Sequence, residues 1–170
     1  MKKLTLRHAL VFSMLGALMF VTTFALKVLP NVHLLALFII VITRVYRLRA
    51  LIPIYIYVFL EGVYQGFSPW WIPYLYMWTI LWGATMLIPK KLPKRIEPIV
   101  YCLLGGVFGL LFGTLWAPYQ AIIFGLSLNG VIAWIVAGLP YDAVHGVSNA
   151  CMCILCVPLI RLLRRLEVNK

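Results

Sequence analysis

The chain has 170 residues, 64% of them hydrophobic and 11% charged, with a formal net charge of +11, and its mean hydropathy is +1.01. Soluble domains average about 45–50% apolar and about 25% charged residues, so this composition excludes one. At roughly 20 residues per span the chain has room for about six or seven membrane helices and little else. The expectation is an all-α integral membrane protein with a single domain over residues 1–170.

The positive charge does not suggest nucleic acid. Lys and Arg sit in short clusters between apolar runs: Lys2, Lys3 and Arg7; Arg44, Arg47 and Arg49; Lys90, Lys91, Lys94 and Arg95; Arg161, Arg164 and Arg165. That is the distribution the positive-inside rule produces.

The first apolar run, 6–26, follows a basic start but lacks a convincing small-x-small cleavage site. It reads as a retained first span. Ala9, Ser13 and Ala17 recur every four residues on it, a flat stripe that lets another helix come close. Packing inside the same protein and docking of a partner both remain open for this stripe. The segment from Pro30 to His33 makes the outer turn.

The second span, 33–46, is short and ends at the Arg44–Arg49 cluster. The third, 50–66, carries Glu61, one of only four acids in the chain, with Gln65 one turn on. An acid in a membrane helix is a functional candidate by default, although it also lies near the outer loop, where it could simply be wet. The fourth span, 70–88, opens on a dense aromatic run that includes Trp70, Trp71, Tyr74 and Trp78. Trp and Tyr collect at membrane interfaces, and the same surface could stack on a planar ligand. Pro89 to Arg95 forms a cytoplasmic loop. The fifth span, 98–116, carries Gly105, Gly109 and Gly113, a ridge for close helix packing.

Two further apolar stretches, 117–137 and 141–163, cannot both be spans without breaking the charge rule. The first holds Pro118, Gly125 and Gly130 and several polar residues. It reads as a partly inserted outer segment near 117–138, which gives a bundle of six transmembrane helices with both termini cytoplasmic. Pro140 then opens the last helix, since its missing N–H goes unused in a first turn. Asp142, His145 and Asn149 follow on one face of that helix, in the outer half of the membrane. The cysteines, Cys102, Cys151, Cys153 and Cys156, read as small side chains packed between helices.

The chain has no P-loop, no H-E-x-x-H and no Gly-x-Ser-x-Gly elbow. No enzyme activity, cofactor or metal is expected. The few acids argue against a proton relay, and no inverted repeat suggests a self-contained carrier.

Three segments carry a resemblance to the substrate-binding S components of energy-coupling factor (ECF) vitamin transporters of bacteria. They are the stripe Ala9-x-x-x-Ser13-x-x-x-Ala17, the turn Leu29-Pro-Asn-Val-His33, and Gly138-Leu-Pro-Tyr-Asp-x-x-His-x-x-x-Asn149 ahead of a basic C-terminal helix. The last is similar to a Gly-Ile-Pro-Phe-Asp…His…Gly-Asn pattern of that family, with Tyr141 in place of Phe and Ser148 in place of Gly. The resemblance implies a protein of the bacterial cell membrane that captures a small water-soluble vitamin or precursor on the outer side. It also implies that the Ala9–Ser13–Ala17 stripe docks on a transmembrane coupling protein driven by two ABC ATPases. Asn31, His33, Trp71, Tyr74, Tyr141, His145 and Asn149 are then the expected ligand contacts. Glu61 and Asp142 join them, Asp142 with the alternative of capping backbone N–H groups. A stand-alone secondary transporter and a non-transporting membrane assembly protein are the competing functions.

Overall fold

The computed structural model describes residues 5–29 and 31–168, the last without its side chain; Lys2, Lys3 and Pro30 lie outside the described residues. The elements are α1 (Leu6–Ala25), α2 (Leu35–Tyr46), α3 (Leu51–Gln65), α4 (Ile72–Leu87), α5 (Glu97–Leu110), α6 (Phe112–Phe124), α7 (Leu128–Met152) and α8 (Cys156–Val168). Short 3₁₀ turns lie at Arg47–Ala50, Pro69–Trp71 and Cys153–Leu155, and no strand occurs among the described residues. The all-helical class is as expected.

The number and bounds of the helices are not. The described residues form five continuous helical runs rather than six helices, because α2 passes into α3 through the 3₁₀ turn with no loop between them. Arg47 makes the break by taking φ 55° and ψ −120°. Such a conformation costs a non-glycine residue on the order of 1–3 kcal/mol. The Trp82 indole N–H braces it by donating to the Arg47 carbonyl at 3.1 Å.

Residues 117–138 are also corrected. They are helical, divided between the end of α6 and the start of α7. Gly125 stops α6 in the left-handed region at φ 61°, and the Ser127 hydroxyl then caps α7 by accepting from the Gly130 N–H. Pro140 therefore lies inside α7 and opens nothing. A proline removes one intrahelical bond and can leave the helix continuous, and the buried residues of α7, Asp142, His145, Gly146 and Asn149, all follow it.

Three helices are long and apolar enough to cross a membrane: Leu6–Ala25, the α5–α6 run Glu97–Phe124, and the run from α7 into α8, Leu128–Glu167. Large apolar side chains such as Leu10, Met14, Leu18, Ile132, Val136 and Val147 are exposed on their outer faces. Both features are compatible with a membrane-embedded protein.

The core is built around α2. Leu35, Ala36, Leu37, Ile39, Ile40, Val41 and Ile42 are all buried, as a helix apolar on every side must be; α4 and α8 cover it. α1 packs on α3, burying Phe12, Gly16 and Met19, with Phe12 edge-on to the Tyr46 ring of α2. A Cβ at Gly16 would lie 2.5 Å from Ile56 Cγ2.

The most extensive pairing is α5 on α7, and the glycine ridge makes it. A Cβ at Gly105 would meet Cys153 Sγ at 2.5 Å, one at Gly109 would meet Gly146 Cα at 2.7 Å, and one at Gly113 would meet Asp142 Oδ2 at 2.5 Å. Cys153 and Cys156 are fully buried in this packing.

The basic clusters gather at one end. Arg44 is 5% exposed; its Nε donates to the Tyr101 hydroxyl at 2.7 Å, Nη1 to the Ile88 carbonyl at 3.0 Å and Nη2 to the Pro89 carbonyl at 2.9 Å. At the same end Arg7 Nη2 donates to the Leu166 carbonyl at 3.2 Å and the Tyr46 hydroxyl to Glu167 Oε1 at 2.8 Å. Lys27 and Glu61 lie at the other end, where a cavity opens.

Candidate functional site

The end of α1, the connection 31–34, the last turn of α3 and the first turns of α4 surround a cavity of about 260 Å³. Asn31, His33, Glu61 and Tyr74 line it, together with Lys27 and Gln65. Four of the nine expected contacts thus meet around one space. Asn31 reaches it from a left-handed backbone, φ 59°, a conformation that asparagine adopts more readily than most residues.

Glu61 is 1% exposed. One carboxylate oxygen, Oε2, accepts from the Gln65 side-chain amide one turn on, while Oε1 is buried with no protein partner. On the far side of the cavity His33 Nδ1 is likewise buried without a partner, and burial pushes its imidazole from 6.5 down to about 4.

The His33 ring stands edge-on to His145, with centroids 4.5 Å apart and planes at 87°. His145 is 3% exposed and Asn149, one turn further along α7, is 1% exposed. Neither His145 Nε2 nor either amide atom of Asn149 has a protein partner. The polar groups of α3, the 31–34 connection and α7 therefore form a file running from the cavity into the bundle.

Aromatic rings wall this file. Phe112 lies 4.6 Å from His145, Trp78 5.9 Å from Phe112, and Tyr74 5.5 Å from Trp78 and 5.8 Å from Trp116. Of these rings, Tyr74 also lines the cavity. Trp78 Nε1 is itself buried and unpartnered.

Three expected contacts lie elsewhere. The Trp71 indole N–H donates to the Val58 carbonyl at 2.7 Å, locking the start of α4 onto α3. Tyr141 is 65% exposed on the outer face of α7. Asp142 caps a helix, but a different one from its own: both carboxylate oxygens accept from the Gly113 N–H at 3.1 Å, at the start of α6.

Several lining residues escaped the sequence reading. Lys27 carried a signal, because it is the one basic residue that stands between the clusters rather than in one; its Nζ sits 4.7 Å over the Tyr64 ring at the cavity rim. Phe112 and Trp116 gave none, since aromatic residues in an apolar helix look like any other lipid-facing or core position.

The small-residue stripe of α1 faces outward. Ser13 and Ala17 are exposed and Ala9 half-buried, and Ala17 lines a shallow apolar groove with Met14, Leu18 and Val21. Internal packing uses the neighbouring Phe12–Gly16–Met19 face instead.

No family model, curated protein or solved structure matches this chain.

Proposed function

We propose that this protein is the substrate-capture subunit of an ECF-type importer in a bacterial cell membrane, with both termini cytoplasmic. It would bind a small water-soluble vitamin or precursor and deliver it with a transmembrane coupling protein and two ABC ATPases. The observation that carries the reading is the file of buried polar atoms without partners: Glu61 Oε1, His33 Nδ1, His145 Nε2 and the Asn149 amide. An unsatisfied buried polar group costs about 1–3 kcal/mol, and native interiors hold few of them. Several in one file beside a cavity suit a ligand that completes their hydrogen bonds. The aromatic wall suits a flat ring.

The exposed stripe supports the partner half of the reading. Ser13 and Ala17 present small side chains on an exposed helix face, with Ala9 half-buried at its end.

The chain purified alone should carry or bind its ligand with quenching of tryptophan fluorescence and no need for ATP. Mass spectrometry of the released molecule names it. Transport should require the ATPase partners; uptake by the isolated chain in proteoliposomes under an ion gradient would overturn the reading. Ala17→Trp should abolish assembly with the coupling protein and leave ligand binding intact.

A further inference from the structure

A second cavity lies at the opposite, basic end. It has a volume of about 310 Å³ and is lined by Arg44, Val45, Arg47, Lys90 and Arg164. Every ionisable lining residue is cationic. The acids of this end are engaged elsewhere: Glu97 Oε1 accepts from the Tyr101 hydroxyl at 3.1 Å and Glu167 Oε1 from Tyr46 at 2.8 Å.

The four cations are not equivalent. Arg44 spends its donors on Tyr101 and on the Ile88, Pro89 and Lys90 carbonyls, so it contributes field and a rigid wall. Arg47 gives Nη2 to the Met86 carbonyl at 3.2 Å, whereas its Nη1 is buried with no partner. Arg164 makes one long bond, Nη2 to the Arg44 carbonyl at 3.4 Å. Lys90 is exposed at the mouth. A buried guanidinium N–H without a protein acceptor, among three further positive charges, favours an anion. Arg47 is also the residue held at positive φ between α2 and α3, a conformation its surroundings must maintain.

We propose that this cavity binds a phosphate group, taken by the Arg47 fork with Arg164 and Lys90 closing on it. Guanidinium forks match phosphate oxygens in planar, paired hydrogen bonds. Two sources offer that chemistry: the headgroup of an anionic phospholipid, since basic pockets between helices at the membrane edge hold such groups, and soluble phosphate. Binding would fasten the α2–α3 junction, the residue 88–90 connection and α8 to one another, at the end away from the first cavity.

The test uses the full chain. It is reconstituted in nanodiscs of phosphatidylglycerol and phosphatidylcholine, and retained lipid is counted by native mass spectrometry. In parallel its melting is followed in neutral detergent with and without inorganic phosphate. Arg47→Gln, Arg164→Gln and Lys90→Gln should each lower the retained anion about fivefold, while Arg161→Gln, outside the cavity, should not. Loss of phosphatidylglycerol retention in the variants supports the proposal with a lipid source. Phosphate that raises the melting temperature of the parent but not of the variants supports it with a soluble source. Retention equal in the parent and all three variants, with no response to phosphate, would overturn it. Arg164 and Lys90 are exposed, so their variants keep the test decisive if Arg47→Gln does not fold.

Discussion

Asn149 is 1% exposed, and neither its amide nitrogen nor its oxygen has a protein partner. In the ligand-free protein it is a burden of about 1–3 kcal/mol. Asn149→Leu keeps the size and removes both unpaired atoms, so we expect the ligand-free melting temperature to rise. Ligand affinity should fall at least about tenfold, the equivalent of one lost hydrogen bond of about 1.4 kcal/mol. A variant that melts lower and binds as before would show that the amide is satisfied within the protein. His33 gives a prediction in pH. It sits between α1 and α2, and burial lowers its imidazole from 6.5 to about 4. Between those values the unfolded chain binds a proton that the folded chain does not, so folding is favoured at higher pH. The contribution is complete above 6.5 and is lost as pH falls to about 4. The groups facing it are His145 from α7, Glu61 from α3, Tyr74 from α4 and Lys27 at the end of α1. Thermal unfolding followed across this range should show the decline, and His33→Gln should make it shallower; an unchanged slope in the variant would assign the decline to other groups.

At the scale of elements, the α5–α7 contact is set by glycine on both sides. A Cβ at Gly109 would lie 2.7 Å from both the nitrogen and Cα of Gly146, and backbone cannot move aside as a flexible side chain can. Gly109→Ala should therefore destabilise by about 1–3 kcal/mol. Gly138, within the same α7, has nothing within 4 Å of an added Cβ, and Gly138→Ala should stabilise by about 0.5–1 kcal/mol through helix propensity alone. Denaturant or thermal unfolding of the pair checks this, and equal tolerance would mean that the two helices do not pack so closely. The ridge was legible because Gly at every fourth residue is a local pattern. The outward stripe was legible for the same reason, although only the buried Phe12–Gly16–Met19 face shows which side of α1 the protein itself uses. Helix continuity was not legible. Charge clusters, prolines and glycines suggested an irregular segment over 117–138; both prolines lie inside helices, and of the residues named only Gly125 marks the break, at Gly125–Ser127. The α2–α3 junction depends on one arginine at positive φ, which no composition signals. Asp142 looked like the cap of its own helix because sequence shows only the nearest N-terminus. Its actual partner, Gly113, is 29 residues away.

For the whole molecule, the two ends divide the work. The end with Glu61 and His33 holds most of the unpartnered buried polar groups named above, while the end with Arg44, Arg47 Nη1 apart, holds the bonds that join the helices. One guanidinium there links α2 to α5 and to residues 88–90, donating to the Tyr101 hydroxyl and to three carbonyls. Charged hydrogen bonds contribute about 1.5–3 kcal/mol each, and losing the donor leaves its acceptors to find water. The carbonyls of Pro89 and Lys90 belong to exposed residues and recover part of that loss, whereas the Tyr101 hydroxyl belongs to a residue 0% exposed. Arg44→Met should accordingly destabilise by at least about 3 kcal/mol. Arg44→Lys should restore little, because an ammonium cannot span acceptors arranged for a planar fork. Tyr101→Phe removes a single contact and should cost less than either. Ligand affinity per folded molecule should remain at the parent value in all three variants, since α1 runs from Arg7 at this end to Ala25 near the cavity, about 30 Å at 1.5 Å per residue. Unfolding midpoints and binding isotherms on the same preparations separate these effects. An unchanged midpoint in Arg44→Met would show that the basic end does not hold the bundle, and weakened binding in its folded fraction would show that the two ends are coupled.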